Sequence, residues 1–166
     1  MIFVTVGTHE QGFNRLLQMM DSIAMQTDEP IFAQIGYSTY EPLHYKYTDF
    51  LTYSEMHEYI DEASRVITHG GAATFLSVLA SGKTPIVVPR LKKFQEHVND
   101  HQLNFVEHLI ENGYSLTLVK QYSELENAIS ASETTASRLD LSDAPKLFVT
   151  SLEVELSRLQ NHEGKR

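Results

Sequence analysis

The chain has 166 residues, 42% of them hydrophobic and 10% aromatic, which is enough to bury one ordinary core and too apolar for a wholly disordered polypeptide. It contains no cysteine, which excludes disulfides and thiolate metal sites. A formal charge of -9 disfavours sequence-independent binding to nucleic acid or to an anionic membrane surface.

The first element is the apolar run Ile2 to Val6. It is too short to span a membrane and lacks the basic leader of a signal peptide, so it reads as a buried strand of a soluble, cytoplasmic protein. Phe13 to Met25 follows with helical spacing, Phe13, Leu16, Leu17 and Met20 forming its core side. Asp28-Glu29-Pro30 introduces a second strand, Ile31 to Ile35. The tyrosines at 37, 40, 45, 47, 53 and 59 read as packing residues, although Tyr37-Ser38-Thr39-Tyr40, just past a strand end, is also placed to touch an acceptor or a partner.

A helix is predicted over Ser54 to Ala63, capped through Ser54-Glu55-Met56-His57, and a strand over Arg65 to Thr68. Next come a helix from Ala73 to Ser81 closed by Gly82, a strand from Pro85 to Val88, and a helix from Glu96 to Glu111 closed by Gly113. Ser115 to Val119 is the fifth strand, and Ser123 to Ser130, opened by Ser123-Glu124-Leu125-Glu126, the helix after it.

Residues 1–130 therefore form one α/β domain, with 131–144 a polar connector and 145–160 an amphipathic helix that carries Leu147, Phe148, Leu152, Leu156 and Leu159 near one side. Residues 161–166 read as a frayed end. Short β-branched strands alternating with helices predict a doubly wound, Rossmann-like parallel sheet, in which a ligand sits outside the carboxyl ends of the strands.

Three loops at that end hold the chemistry. Val66-Ile67-Thr68-His69-Gly70-Gly71-Ala72-Ala73-Thr74 runs from a strand through a glycine pair into a helix. Paired glycines let the backbone turn tightly and approach a ligand, and the unpaired amides of a helix start attract an anion such as a diphosphate. Any βα unit needs a turn, so the motif gains weight only from its neighbours. Those are Gly7-Thr8-His9-Glu10-Gln11 and the segment Pro89 to Gln102, with its basic Arg90, Lys92 and Lys93. Those cations are expected to neutralise charge on a departing nucleotide. A side chain at Gly71 is expected to fill the anion's place.

His97 and His101, spaced i, i+4 on the predicted helix, lack a third ligand, so no metal site and no cofactor is predicted. A loop histidine is ordinarily just solvated, yet His9 lies beside the expected diphosphate and is the candidate base.

With these motifs, residues 1 to about 130 resemble the carboxyl-terminal, donor-binding half of glycosyltransferase family 28, whose two-domain member is the peptidoglycan enzyme MurG. Within the family the chain looks most like the PssE-type small subunit of split enzymes of exopolysaccharide and capsule synthesis. The resemblance implies the carboxyl-terminal half of a GT-B fold and a UDP-sugar substrate. It also implies a membrane-bound partner subunit that supplies a lipid-linked saccharide acceptor and draws the chain to the inner face of the membrane.

The same resemblance implies substrate contacts at Gly7 and Thr8 after the first strand, and at His69, Gly70, Gly71, Ala73 and Thr74 in the phosphate turn. It places the donor-sugar pair on His101 and Gln102, a uracil clamp at Leu51 to Tyr53, and Arg90 beside the diphosphate. Where the family carries a ribose-binding Glu this chain has Ser77, which cannot accept from two hydroxyls as a carboxylate does. Glu96 is the substitute candidate. The implied activity is hexosyl transfer, with inversion, by a two-subunit complex. A non-catalytic accessory subunit that activates a partner and a generic nucleotide-binding module are the alternatives.

Overall fold

The computed structural model describes residues 1–131; the predicted connector and the amphipathic helix at 145–160 lie outside them. The described residues form six strands and five α-helices, alternating except where β3 follows β2 directly. They are β1 (Ile2–Thr5), α1 (Asn14–Ala24), β2 (Ile31–Gln34), β3 (Lys46–Thr48), α2 (Tyr53–Glu62), β4 (Arg65–Thr68), α3 (Ala72–Ala80), β5 (Ile86–Val87), α4 (His101–Glu111), β6 (Thr117–Leu118) and α5 (Tyr122–Ser130). The strands form one sheet in the order β3-β2-β1-β4-β5-β6, with every pairing parallel.

Parallel strands covered on both faces must be apolar on both, and β1 is, with no residue of Ile2–Thr5 left exposed. Its alternate side chains enter different cores. Ile2, Val4 and Val6 pack with Phe13, just before α1, with Leu16, Leu17 and Met20 of α1 and with Leu125 of α5. Phe3 points the other way, among Ile60 of α2, Val66 and Val78 of α3. Phe75 and Leu79 of α3, with Val87, bury Phe105, Val106 and Leu109 of α4. Helices α1 and α5 thus cover one face of the sheet, and α2, α3 and α4 the other.

The expected doubly wound sheet is present, with three local corrections. Lys46–Thr48 is an additional strand; it is mostly exposed and carries no apolar run, and its strand character comes from pairing beside β2. The caps of α2 and α5 lie two residues earlier than the serines at 54 and 123. Thr52 and Glu55 form a reciprocal capping box, and Gln121 with Glu124 another. Finally, the helix expected from Glu96 starts only at His101. Lys92–Phe94 forms a single 3-10 turn, Gln95 takes a left-handed conformation at φ 58, and the Asn99 side chain turns the chain by accepting from the His101 amide at 3.2 Å. His97 therefore precedes α4 and does not share a helix with His101.

Candidate active site

The strand order reverses direction between β1 and β4, and the loops that leave these two strands meet there. Both loops begin alike. Thr5 and Thr68 are register partners, and each hydroxyl accepts from the amide two residues on, Gly7 N at 3.3 Å and Gly70 N at 3.4 Å. Gly7 and Gly70 then turn with φ of 75 and 84, a region that a side chain makes costly. Gly70 also sits tightly on the sheet and on α4, since a Cβ there would lie 2.9 Å from Val87 and 3.3 Å from Val106.

His69 fills the space between the loops. A Cβ on Gly7 would meet its ring at 2.4 Å, and one on Gly71 would meet it at 2.4 Å from the opposite loop. The imidazole is only 8% exposed, and burial, reinforced by the Arg90 charge, pushes its pKa down to about 3. It is therefore neutral at any ordinary pH. Its Nδ1 is buried with no hydrogen-bond partner among the described residues.

This corrects one expectation: the room above Gly71 belongs to the His69 ring, and a side chain at Gly71 would strike that ring before it reached an anion. The unpaired helix-start amides lie one step further, in the first turn of α3. Gly71 at the helix start has no side chain to cap them, and Phe75 is the first residue whose amide finds a helical carbonyl, Gly71 O at 3.0 Å. The amides of Ala72, Ala73 and Thr74 precede the first helical hydrogen bond, Ala73 being exposed and Thr74 half-buried. Ser77 turns its hydroxyl back onto Ala73 O at 3.1 Å.

Arg90 and Glu96 are not placed as expected. The Arg90 side chain is 1% exposed, and its guanidinium donates to the carbonyls of Val6, Gln11, Gly12 and Glu96, with Phe13 stacked 4.8 Å from it. Burial pushes its pKa down to about 10, so it remains a cation. It is a strut that holds the β1–α1 loop to the β5–α4 loop, its two Nη groups spent on main-chain carbonyls. Glu96 is buried as well. Its carboxylate accepts from Arg15 Nε at 2.7 Å, from Arg15 Nη2 at 2.9 Å and from the Leu91 amide at 3.0 Å. Its carboxylate is thus committed to Arg15 and the Leu91 amide, and with the residue only 6% exposed it is not presented to a ribose or an acceptor hydroxyl as expected.

Gln102 stands half-buried at the first turn of α4, its carbonyl accepting from the Arg90 amide at 3.0 Å. His101 lies beside it, and the rings of His9, His97 and His101 form a row with centroids 4.9 and 5.6 Å apart. His9 is exposed on the β1–α1 loop, where its Nδ1 accepts from the Gln11 amide at 3.2 Å, and Thr8 is exposed next to it. The loops thus gather Gly7, Thr8, His9, His69, Gly71, His101 and Gln102 around the start of α3. Tyr53 stands apart, 81% exposed at the start of α2 with its ring edge-on to His57. Among the described residues no cluster of three or more histidines and carboxylates is arranged to hold a metal, and no helix is long and apolar enough to cross a membrane.

Sequence reasoning missed Arg15. Its place in the first helical turn gave no sign that it would close an ion pair with a residue 81 positions away.

The fold is shared with solved glycosyltransferases. The kitacinnamycin glycosyltransferase is 17% identical over 93% of this chain and 39% of its own, with a TM-score of 0.59. For the calicheamicin glycosyltransferase CalG4 the figures are 14%, 99%, 42% and 0.55. For MurG of Acinetobacter baumannii they are 18%, 91%, 44% and 0.51. At such identities the likeness concerns the fold alone, and this chain spans about two fifths of the length of those structures. No curated protein sequence matches it. The model of the glycosyltransferase family 28 C-terminal domain matches residues 1–154, and the chain belongs to that family.

Proposed function

We propose that this chain binds the UDP-sugar donor of a glycosyltransferase whose acceptor half is a separate, membrane-bound subunit, and that the pair transfers the sugar to a lipid-linked saccharide in exopolysaccharide or capsule synthesis. The observation that carries this reading is the uncapped first turn of α3 at the point where β1 and β4 diverge, beside a buried histidine kept neutral. Amide donors and the helix dipole there suit a diphosphate, each such interaction being worth about 0.3–2 kcal/mol.

In the transfer, the acceptor hydroxyl oxygen attacks the anomeric carbon, and the bond from that carbon to the β-phosphate oxygen breaks. UDP leaves with the electron pair, and the hydroxyl proton passes to a base. The α3 amides contribute to rate only as far as they hold departing UDP better than the intact donor. His9 is the base candidate on this chain. In this reading Gln102 and His101 bond the hydroxyls of the donor sugar, and inversion follows if a single displacement occurs. No step in this scheme calls on a metal ion or another cofactor.

One observation favours a second reading, that of an accessory subunit which activates a partner without binding donor. Neither Ser77, whose hydroxyl bonds Ala73 O, nor Glu96, paired with Arg15, offers a free carboxylate to a ribose. The two readings separate in a transfer assay with membranes of a source strain lacking this chain, supplied with purified protein and labelled UDP-hexose. Label entering the lipid fraction only when the chain is added supports both readings. Retention of transfer by Ala73→Pro, which fills the α3 first turn and removes an amide, would leave only the accessory role.

A further inference from the structure

The loops that leave β1 and β5 flank the start of α3, yet these two strands are not neighbours in the sheet. β4 lies between them, and the turn from His69 to Gly71 rises from its end. A loop held only by its own turns keeps several conformations, and a ligand must order them when it binds. The two outer loops therefore need a tie that passes across the β4 turn.

Arg90, just past β5, makes that tie. Its Nη2 donates to Val6 O, just past β1, at 2.9 Å. Its Nη1 donates to Gln11 O at 2.6 Å and to Gly12 O at 2.9 Å, where the segment carrying Thr8 and His9 closes, and reaches Glu96 O within its own loop at 3.4 Å. The guanidinium passes close enough to His69 for its charge to help lower that imidazole's pKa. A planar fork suits this task, because its donors point in two directions at once and the Phe13 ring stacks on it at 4.8 Å.

The arrangement is costly. Arg90 has the largest side chain of those fully buried, and among the described residues no carboxylate forms an ion pair with it. Glu96 commits its carboxylate to Arg15 and to the Leu91 amide. A buried cation met by carbonyl dipoles alone is less favourable than an apolar residue of similar volume. Filling the space between the loops calls for no charge, whereas fixing carbonyls of both loops does.

The same residue fixes Gln102. The Arg90 main-chain amide donates to the Gln102 carbonyl oxygen at 3.0 Å, which sets the carboxamide one way round, with its NH2 end as the donor. Side chain and main chain of one residue thus hold the β1–α1 loop and the Gln102 carboxamide in a single frame.

We propose that Arg90 is a positioning residue for the donor sugar: by locking the β1–α1 loop to the β5–α4 loop it keeps Gln102 in the orientation that bonds a sugar hydroxyl. The proposal rests on the donor-site reading above, and the test keeps the two apart. UDP, UDP-glucose, UDP-galactose and UDP-N-acetylglucosamine are titrated calorimetrically into the full chain, alone and joined to its partner. Arg90→Lys keeps the charge and loses the fork. It is expected to weaken the best-bound UDP-sugar about three- to tenfold while changing UDP less than about twofold. In a Gln102→Ala background the same substitution should add less than about twofold, because the group through which it acts is gone. Phe13→Leu removes the ring stacked on the guanidinium and leaves its hydrogen bonds. It should give the same selective loss in smaller measure, and it reads the strut should Arg90→Lys not fold. Equal weakening of UDP and UDP-sugar, unchanged UDP-sugar binding in both variants, or fully independent losses from Arg90→Lys and Gln102→Ala overturn the positioning role, and UDP binding by the wild type then leaves the donor reading standing. A wild-type chain that binds no UDP in either form ends the donor reading, and the role of Arg90 with it.

Discussion

At the scale of single residues, the site depends on how His69 is held. Gly71 has an ordinary φ of -66, so alanine there carries no backbone strain and meets only the imidazole. Gly71→Ala should therefore cost about 1–3 kcal/mol, as overpacked cores do, and His69→Ala in the same chain should relieve much of that cost. Urea unfolding of the two single variants and the double variant measures the coupling. Additive losses would show that the ring does not fill this space.

His69 also ties stability to pH. Its folded pKa of about 3 lies below the unfolded value of 6.5, so between those limits the unfolded chain binds a proton that the folded chain refuses. The stabilisation is complete above pH 6.5 and declines on acidification, with a slope approaching about 1.4 kcal/mol per pH unit. Asp21, raised by burial but lowered on balance by hydrogen bonds from Tyr40, Leu43 and His44, titrates below 3.8 and leaves the upper window to His69. Unfolding free energies of the wild type should fall between pH ~6.5 and ~5, and His69→Gln, which binds no proton, should flatten that slope. Equal slopes would contradict the buried, neutral imidazole.

At the scale of elements, the loops are fixed by polar side chains that a pattern of hydrophobicity does not display. The strands and helices around β1, β4 and α3 could be read in advance, because β-branched runs, helical spacing and glycine turns act over a few residues. Gly82 and Gly113, with φ of 80 and 83, do end helices as their positions suggested. Lys46–Thr48 could not be read this way, since an exposed edge strand is defined by its partner. The start of α4 was hidden for a related reason. Glu96 to Asp100 has helical spacing, but Glu96 is drawn inward to Arg15 and to the Leu91 amide, which turns the chain out of a helix.

That ion pair joins α1 to the β5–α4 loop, and breaking it would leave a charge behind in a mostly buried place. Arg15→Met should destabilise the fold by about 2–4 kcal/mol, somewhat less than a fully buried pair because Arg15 keeps some contact with water. Thermal unfolding checks this, and a change within error would mean that the pair contributes nothing net. A milder effect, about 1 kcal/mol, is expected for Thr52→Ala, which removes the α2 cap.

At the scale of the whole molecule, a six-stranded parallel sheet carries Gly7, Gly70 and Gly71, the histidines at 9, 69, 97 and 101 and the first-turn amides of α3 at one end, and the chain spans about two fifths of the length of solved relatives. The glycine turn that leads into α3 was legible because glycine pairs and helix starts are local features. The roles of Arg90 and Glu96 were not legible, because whether a charged side chain faces a ligand or a carbonyl depends on contacts across the fold. The central claim is that the first turn of α3 receives a nucleoside diphosphate. Calorimetric titration of the chain with UDP and with uridine, alone and joined to its partner, tests it most directly. The account predicts saturable heat with UDP, at least about tenfold weaker binding of uridine, and loss of UDP binding in Ala73→Pro. Equal affinity for uridine and UDP, or no UDP binding in either form, would contradict it.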